Sequence, residues 1–121
     1  MSAVETILVA ANAAAALVAG ASSVLGAARP GLMLASGETV TSGVDFYARV
    51  YAVRAIPLSI AVVAVLLVAD AAAVVPLLAV AGVIQAGDAV LGVLRRVPGM
   101  AAGASVLAVV HLLSAHWYAT H

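Results

Sequence analysis

The sequence predicts an all-α integral membrane protein, a single four-helix transmembrane bundle. Three observations carry that expectation. Of the 121 residues, 66% are hydrophobic and only 8% are charged. Mean hydropathy is +1.25, and five Arg with five acidic residues cannot cover a water-soluble domain of this length, whereas a bilayer suits such a composition. Four apolar stretches, 4–27, 44–69, 72–94 and 99–118, are each long enough to cross a hydrocarbon core of about 30 Å at about 1.5 Å per residue. Backbone groups in lipid must be satisfied within the segment, so each stretch is expected to be a helix.

The first span begins at "MSAVETILVA". It has Glu5 where a signal peptide has basic residues, and its apolar run is longer than a signal core, so it is expected to be retained. Asn12 is its one polar group in mid-span, and Ala16, Ala19, Ser23 and Gly26 continue the same face as a small-residue stripe suited to close packing. The stretch "ARPGLMLASGETVTSGV", 28–44, is rich in Gly, Ser, Thr and Pro and is the one sizeable loop.

The second span opens on "DFYARVYAVRAIP", 45–57, the most polar part of the chain. Asp45 and Arg49 stand at i,i+4, placed for an ion pair near the interface. Tyr47, Tyr51 and Arg54 share another face, lying within about 60° of one another at 100° per residue. Arg54 is about 15 Å into the span, where an arginine costs on the order of 3 kcal/mol unless it finds water or an acid.

The third span offers the acid. In "GVIQAGDAVLGVLRR", Gln85, Asp88, Gly92 and Arg95 follow one face by i,i+3 and i,i+4 steps, with Asp88 at a depth similar to that of Arg54. A buried Arg54–Asp88 pair is expected, with Gln85 hydrogen-bonded beside it. In the fourth span, His111, Ser114 and Tyr118 share a face with His111 near mid-membrane, and His116, Trp117 and Tyr118 form an aromatic belt at the interface.

Several functions are disfavoured. Net charge is zero, lysine is absent and no basic run occurs, so nucleic-acid binding has no electrostatic basis. With no cysteine there is no disulfide, thiol chemistry or thiolate metal site. A single mid-membrane histidine is too little for a metal, and no cofactor motif is present. No internal repeat of the kind that builds duplicated transporters stands out.

The stretches "YARVYAVRAIPLSIAVVAVLL" and "LLAVAGVIQAGDAVLGVLRRVPGMAAGASVLAVVHLLSA" resemble small four-helix membrane proteins of unknown function, related in outline to the DoxX-like group. The resemblance covers most of the chain, including "ARPGLMLASG" after the first span. It implies that the V-R element of the second helix, the G-D of the third and the histidine of the fourth correspond to Arg54, Asp88 and His111. Many such proteins have an acid just after the arginine; here Ala55 stands there, which leaves the pairing of Arg54 to Asp88.

Buried ionisable groups in a membrane are costly and default to a functional reading. The chemistry that Asp88, Arg54, Tyr51 and His111 could perform is cofactor-free acid–base catalysis on a lipophilic small molecule: isomerisation, cyclisation, or epoxide opening and hydrolysis. Asp88 would be the base or water activator, Tyr51 the acid and Arg54 the organiser of Asp88, with Tyr47, Gln85, Asn12 and Ser114 contacting substrate. A small proton-linked transporter and a structural or assembly subunit of a membrane complex stay open. So does a homo-oligomer.

The cell membrane is the expected location. Arg29, Arg95 and Arg96 fall on one side of the bundle, opposite Glu5 and Asp70, which places both termini outside and the 28–44 loop in the cytoplasm. Reporter fusions at the two termini are therefore expected to read as external; cytoplasmic activity from a fusion after His121 would refute this topology.

Overall fold

The computed structural model describes residues 1–121. It contains four helices, α1 (Ala3–Ala28), α2 (Ser42–Val68), α3 (Ala71–Leu94) and α4 (Pro98–Thr120), with a short 3-10 helix at Pro30–Met33. All four are long and apolar enough to cross a membrane. Each starts and stops where the sequence changes character. A capping box opens α1: the Glu5 amide donates to Ser2 Oγ at 3.1 Å and the Ser2 amide donates to Glu5 Oε2 at 3.0 Å. Thr41 caps α2 by accepting from the Val44 amide at 3.2 Å.

The α3–α4 connection is tighter. Arg96 takes a left-handed φ of 57°, and the Val97 amide turns back to the Gly92 carbonyl at 2.9 Å. These features close α3 in the manner of a Schellman turn. Pro98 then starts α4 at a position where its missing N–H is not needed.

The bundle is built from two helix pairs. α1 packs chiefly on α2 and α3 on α4, while α1 meets α4, and α2 meets α3, far less extensively. Small residues allow the close approaches. A Cβ on Gly20 would come within 2.9 Å of Ser59 Oγ in α2, and one on Gly92 within 2.6 Å of the Ala101 backbone in α4.

The apolar core lies toward the end of the bundle where α2 turns into α3, here the turn end. It joins Ala16, Val62, Leu66, Val74, Leu78, Ala81 and Ala115, with contributions from all four helices. The opposite end, the loop end, carries residues 29–41 and the α3–α4 turn. Glu38 organises that end. Its Oε1 accepts from the Ala35 amide at 2.9 Å and its Oε2 accepts from Arg95, an ion pair that ties the loop to the end of α3. Gly37, at φ +88°, supplies the adjoining turn, which a residue with a Cβ would adopt only under strain.

Because the atom facing Gly92 is backbone and cannot swing aside, Gly92→Ala should destabilise the α3–α4 pair by about 1–3 kcal/mol. Gly87, with open space around its Cβ position, is the control, and Gly87→Ala should melt no lower than wild type. Equal melting temperatures for the two variants in detergent would contradict this packing.

Candidate functional site

The polar residues of the four helices separate into two groups. Toward the loop end, Tyr51 of α2 donates its hydroxyl hydrogen to Asp88 Oδ2 of α3 at 3.2 Å. Asp88 is about 9 Å from the end of α3 by helical rise and is half-buried. Gln85 lies one turn earlier on the same face, 8% exposed. Its amide makes no hydrogen bond within the chain and is open to a space that its side chain lines, so no polar atom there is buried without a partner.

That space is a cavity of ≈ 640 Å³. α1, α3 and α4 form its walls, the 3-10 helix closes its loop end through Leu32 and Met33, and Tyr51, Gln85 and Asp88 supply its polar side. Val18, Leu25 and Val106 on its rim are exposed, so it opens sideways between α1 and α4, toward what would be lipid. A second cavity of ≈ 540 Å³ lies between α2 and α3, and Tyr51 and Asp88 border both. The Tyr51–Asp88 hydrogen bond therefore stands on the partition between two apolar hollows.

The second polar group is closer to the turn end. Asn12 Nδ2 donates to the Leu8 carbonyl at 2.8 Å and to Ser114 Oγ at 2.7 Å. Its Oδ1 faces His111 Nδ1 at 2.9 Å. A carbonyl only accepts, so Leu8 fixes which end of the amide is nitrogen, and His111 must donate from Nδ1. Asn12 is 0% and His111 2% exposed. These three side chains line neither cavity; they are a packed link between α1 and α4.

The expected Arg54–Asp88 pair does not form. Arg54 is exposed, and its Nη1 donates to the Val50 carbonyl in its own helix at 3.2 Å. The cause is the rotation of α2. Its inward stripe is Ala48, Ala52, Ser59, Val62 and Leu66. By helical phase Tyr51 lies about 60° from that stripe and Arg54 about 120°, so Tyr51 reaches α3 and Arg54 faces outward. A side chain leaning toward the helix N-terminus also carries the guanidinium back toward the loop-end interface, as a snorkelling arginine does.

Gln85 is beside Asp88, as expected, but bonds to nothing. Tyr47 is 69% exposed, stacks edge-on with Phe46 and borders only the second cavity. His111, Asn12 and Ser114 are brought together, though away from Asp88: His111 packs against Gly82, about 9 Å along α3 from Asp88 by helical rise. The Asp45–Arg49 pair forms as expected, at 3.2 Å and exposed. At the far end of α4, Trp117 meets Tyr118 edge-on and stacks on His121.

Residue-type reasoning missed Ser22, Met33 and Met100 as cavity-lining residues. A signal for the hollow is present in the spacing of Gly99 and Gly103 on α4 and of Ser22 and Gly26 on α1, where small side chains leave room. The Glu38–Arg95 pair had no such signal, because nothing in the sequence fixes the path of the loop.

No protein-family model matches the chain, and neither a curated protein nor a solved structure matches it. The DoxX-like outline thus rests on the sequence motifs alone.

The two polar groups should respond differently to substitution. Arg54→Leu leaves the Tyr51–Asp88 bond in place and should melt close to wild type in detergent. Asn12→Ala strands the buried His111 N–H and should cost about 1–3 kcal/mol. A large loss from Arg54→Leu with none from Asn12→Ala would reverse the assignment.

Proposed function

We propose that the protein is a cofactor-free acid–base enzyme of the cell membrane, acting on a lipophilic small molecule admitted sideways from the bilayer. The observation that carries this is the Tyr51–Asp88 hydrogen bond at the wall of an apolar cavity large enough for such a molecule, with the unpaired amide of Gln85 beside it. Apolar pockets with a few convergent polar groups are where small molecules bind.

The pair can run a closed proton cycle. Asp88 Oδ2 is engaged by Tyr51, which leaves Oδ1 to take a proton from a hydroxyl of the substrate or from water. As that oxygen attacks an epoxide carbon, the epoxide C–O bond breaks and its oxygen takes the Tyr51 proton. Asp88 then holds a proton on Oδ1 and Tyr51 lacks its own; rotation of the carboxyl group turns that proton toward the Tyr51 oxygen, and its transfer restores both. Isomerisation needs less: Asp88 removes a proton from one carbon and returns it to another. Gln85 orients the polar end of the substrate. Arg54, facing outward, has no place in this scheme, and Asn12, His111 and Ser114 serve the packing.

The second cavity supports one further reading, a proton-linked carrier in which the molecule passes Tyr51–Asp88 from one hollow to the other unchanged. Chemical conversion separates the two. Protein in nanodiscs is incubated with a total membrane-lipid extract and followed by chromatography and mass spectrometry. Wild type is expected to convert at least one species, and Asp88→Asn to do so slower by about two to four orders of magnitude, the contribution of a general base. Asp45→Asn, on the exposed pair, should match wild type. Conversion by an equally folded Asp88→Asn at the wild-type rate, or no conversion by wild type, would overturn the enzymatic reading.

A further inference from the structure

The charges around the cavity are unbalanced. Asp88 is the one charged residue lining either hollow. Every arginine is engaged or placed elsewhere: Arg49 pairs with Asp45, Arg95 with Glu38, and Arg54 bonds the Val50 carbonyl, while Arg29 and Arg96 are exposed. No cation lies within salt-bridge distance of Asp88. A half-buried carboxylate against apolar walls, with one neutral hydroxyl for a partner, is poorly compensated.

The hydrogen-bonding capacity is unbalanced as well. Asp88 Oδ1 has no donor. Gln85, more than nine-tenths buried and facing the same space, makes no side-chain hydrogen bond within the chain, and its amide atoms are open to that space rather than sealed off. Two acceptors on adjacent turns of one helix face thus wait for donors, against one amide donor. An anion would be repelled by Asp88, and a hydroxyl brings a single hydrogen. An ammonium brings positive charge and up to three N–H donors, enough to reach Asp88 and the Gln85 carbonyl together.

We propose that this cavity selects lipophilic amines in their protonated form, the ammonium held between Asp88 and Gln85 and the apolar body lying along Val18, Leu25, Met33 and Leu107. The selection rests on the cavity being the ligand site, and not on proton transfer taking place there. Entry is lateral, since the opening between α1 and α4 faces lipid, where such molecules concentrate. The charged end then leaves the headgroup region for a site that supplies both a counter-charge and hydrogen bonds.

The test compares three molecules with one tricyclic skeleton: dehydroabietylamine, the corresponding alcohol and the corresponding carboxylate. Binding is measured by equilibrium dialysis to the full chain in phosphatidylcholine nanodiscs, against protein-free nanodiscs to remove partitioning into lipid. The amine is expected to bind saturably with Kd at least about tenfold below that of the alcohol, and the carboxylate not to saturate. Asp88→Asn should bring the amine to the level of the alcohol, and Asp45→Asn should leave the ranking unchanged. Should Asp88→Asn not fold, Gln85→Met replaces it and is expected to weaken the amine severalfold. Alcohol or carboxylate binding as tightly as the amine to wild type overturns the proposal. Amine selectivity without conversion of any lipid species would defeat the enzymatic function and leave this site standing; conversion without amine selectivity would do the reverse.

Discussion

The link on which the bundle depends is the hydrogen bonding of Asn12 to His111 and Ser114. In a bilayer the surroundings are as apolar as the core, so burial of apolar surface does not by itself hold one helix pair against the other. Close packing and directional bonds must do so. Within each pair, small residues let backbones approach. Between the pairs packing is sparse, and the polar contacts that cross there are three: Asn12 with His111 and Ser114, Tyr51 with Asp88, and Glu38 with Arg95. Each joins a residue of the α1–α2 pair or its loop to a residue of the α3–α4 pair. The first is the most enclosed and gives both polar atoms of its amide a partner.

The two ends of the bundle are consequently different materials. The turn end is filled by Val62, Leu66, Val74 and Leu78 around small alanines. The loop end is hollow, because Gly26, Gly99 and Gly103 leave a gap that the 3-10 helix only partly fills with Leu32 and Met33. A polar side chain can be tolerated at either end for opposite reasons. Asn12 is acceptable because its partners meet its hydrogen-bonding capacity; Gln85 is acceptable because it faces space that a bound molecule or water can occupy.

The fold was legible because hydropathy measures what a bilayer selects: the apolar runs and their Gly, Pro and Arg interruptions mark the helices directly. The rotation of each helix was much less so. In a soluble helix the apolar stripe points inward, but α2 is apolar on nearly every side beyond its first turns, and its inward stripe is distinguished by smallness at Ala48, Ala52 and Ser59. Polarity pointed instead to Tyr47, Tyr51 and Arg54 as the inner face, which is correct for Tyr51 alone. Helical phase also gave Gln85 and Asp88 as neighbours, since that is a relation within one helix. It could not give Asn12 to His111, a relation between helices far apart in the chain, although both were visible as polar groups near mid-span.

The division into two pairs also bears on how the chain is made. Ribosomal synthesis delivers α1 and α2 before α3 and α4, so Asn12 enters lipid while His111 and Ser114 do not yet exist. Its bond to the Leu8 carbonyl, four residues back in its own helix, gives the amide N–H a partner during that interval. Asp88 arrives in the opposite circumstances, with Tyr51 already in place to receive it. The order of translation thus presents each costly group to the membrane with some partner at hand, and the later hairpin completes contacts that the earlier one holds ready.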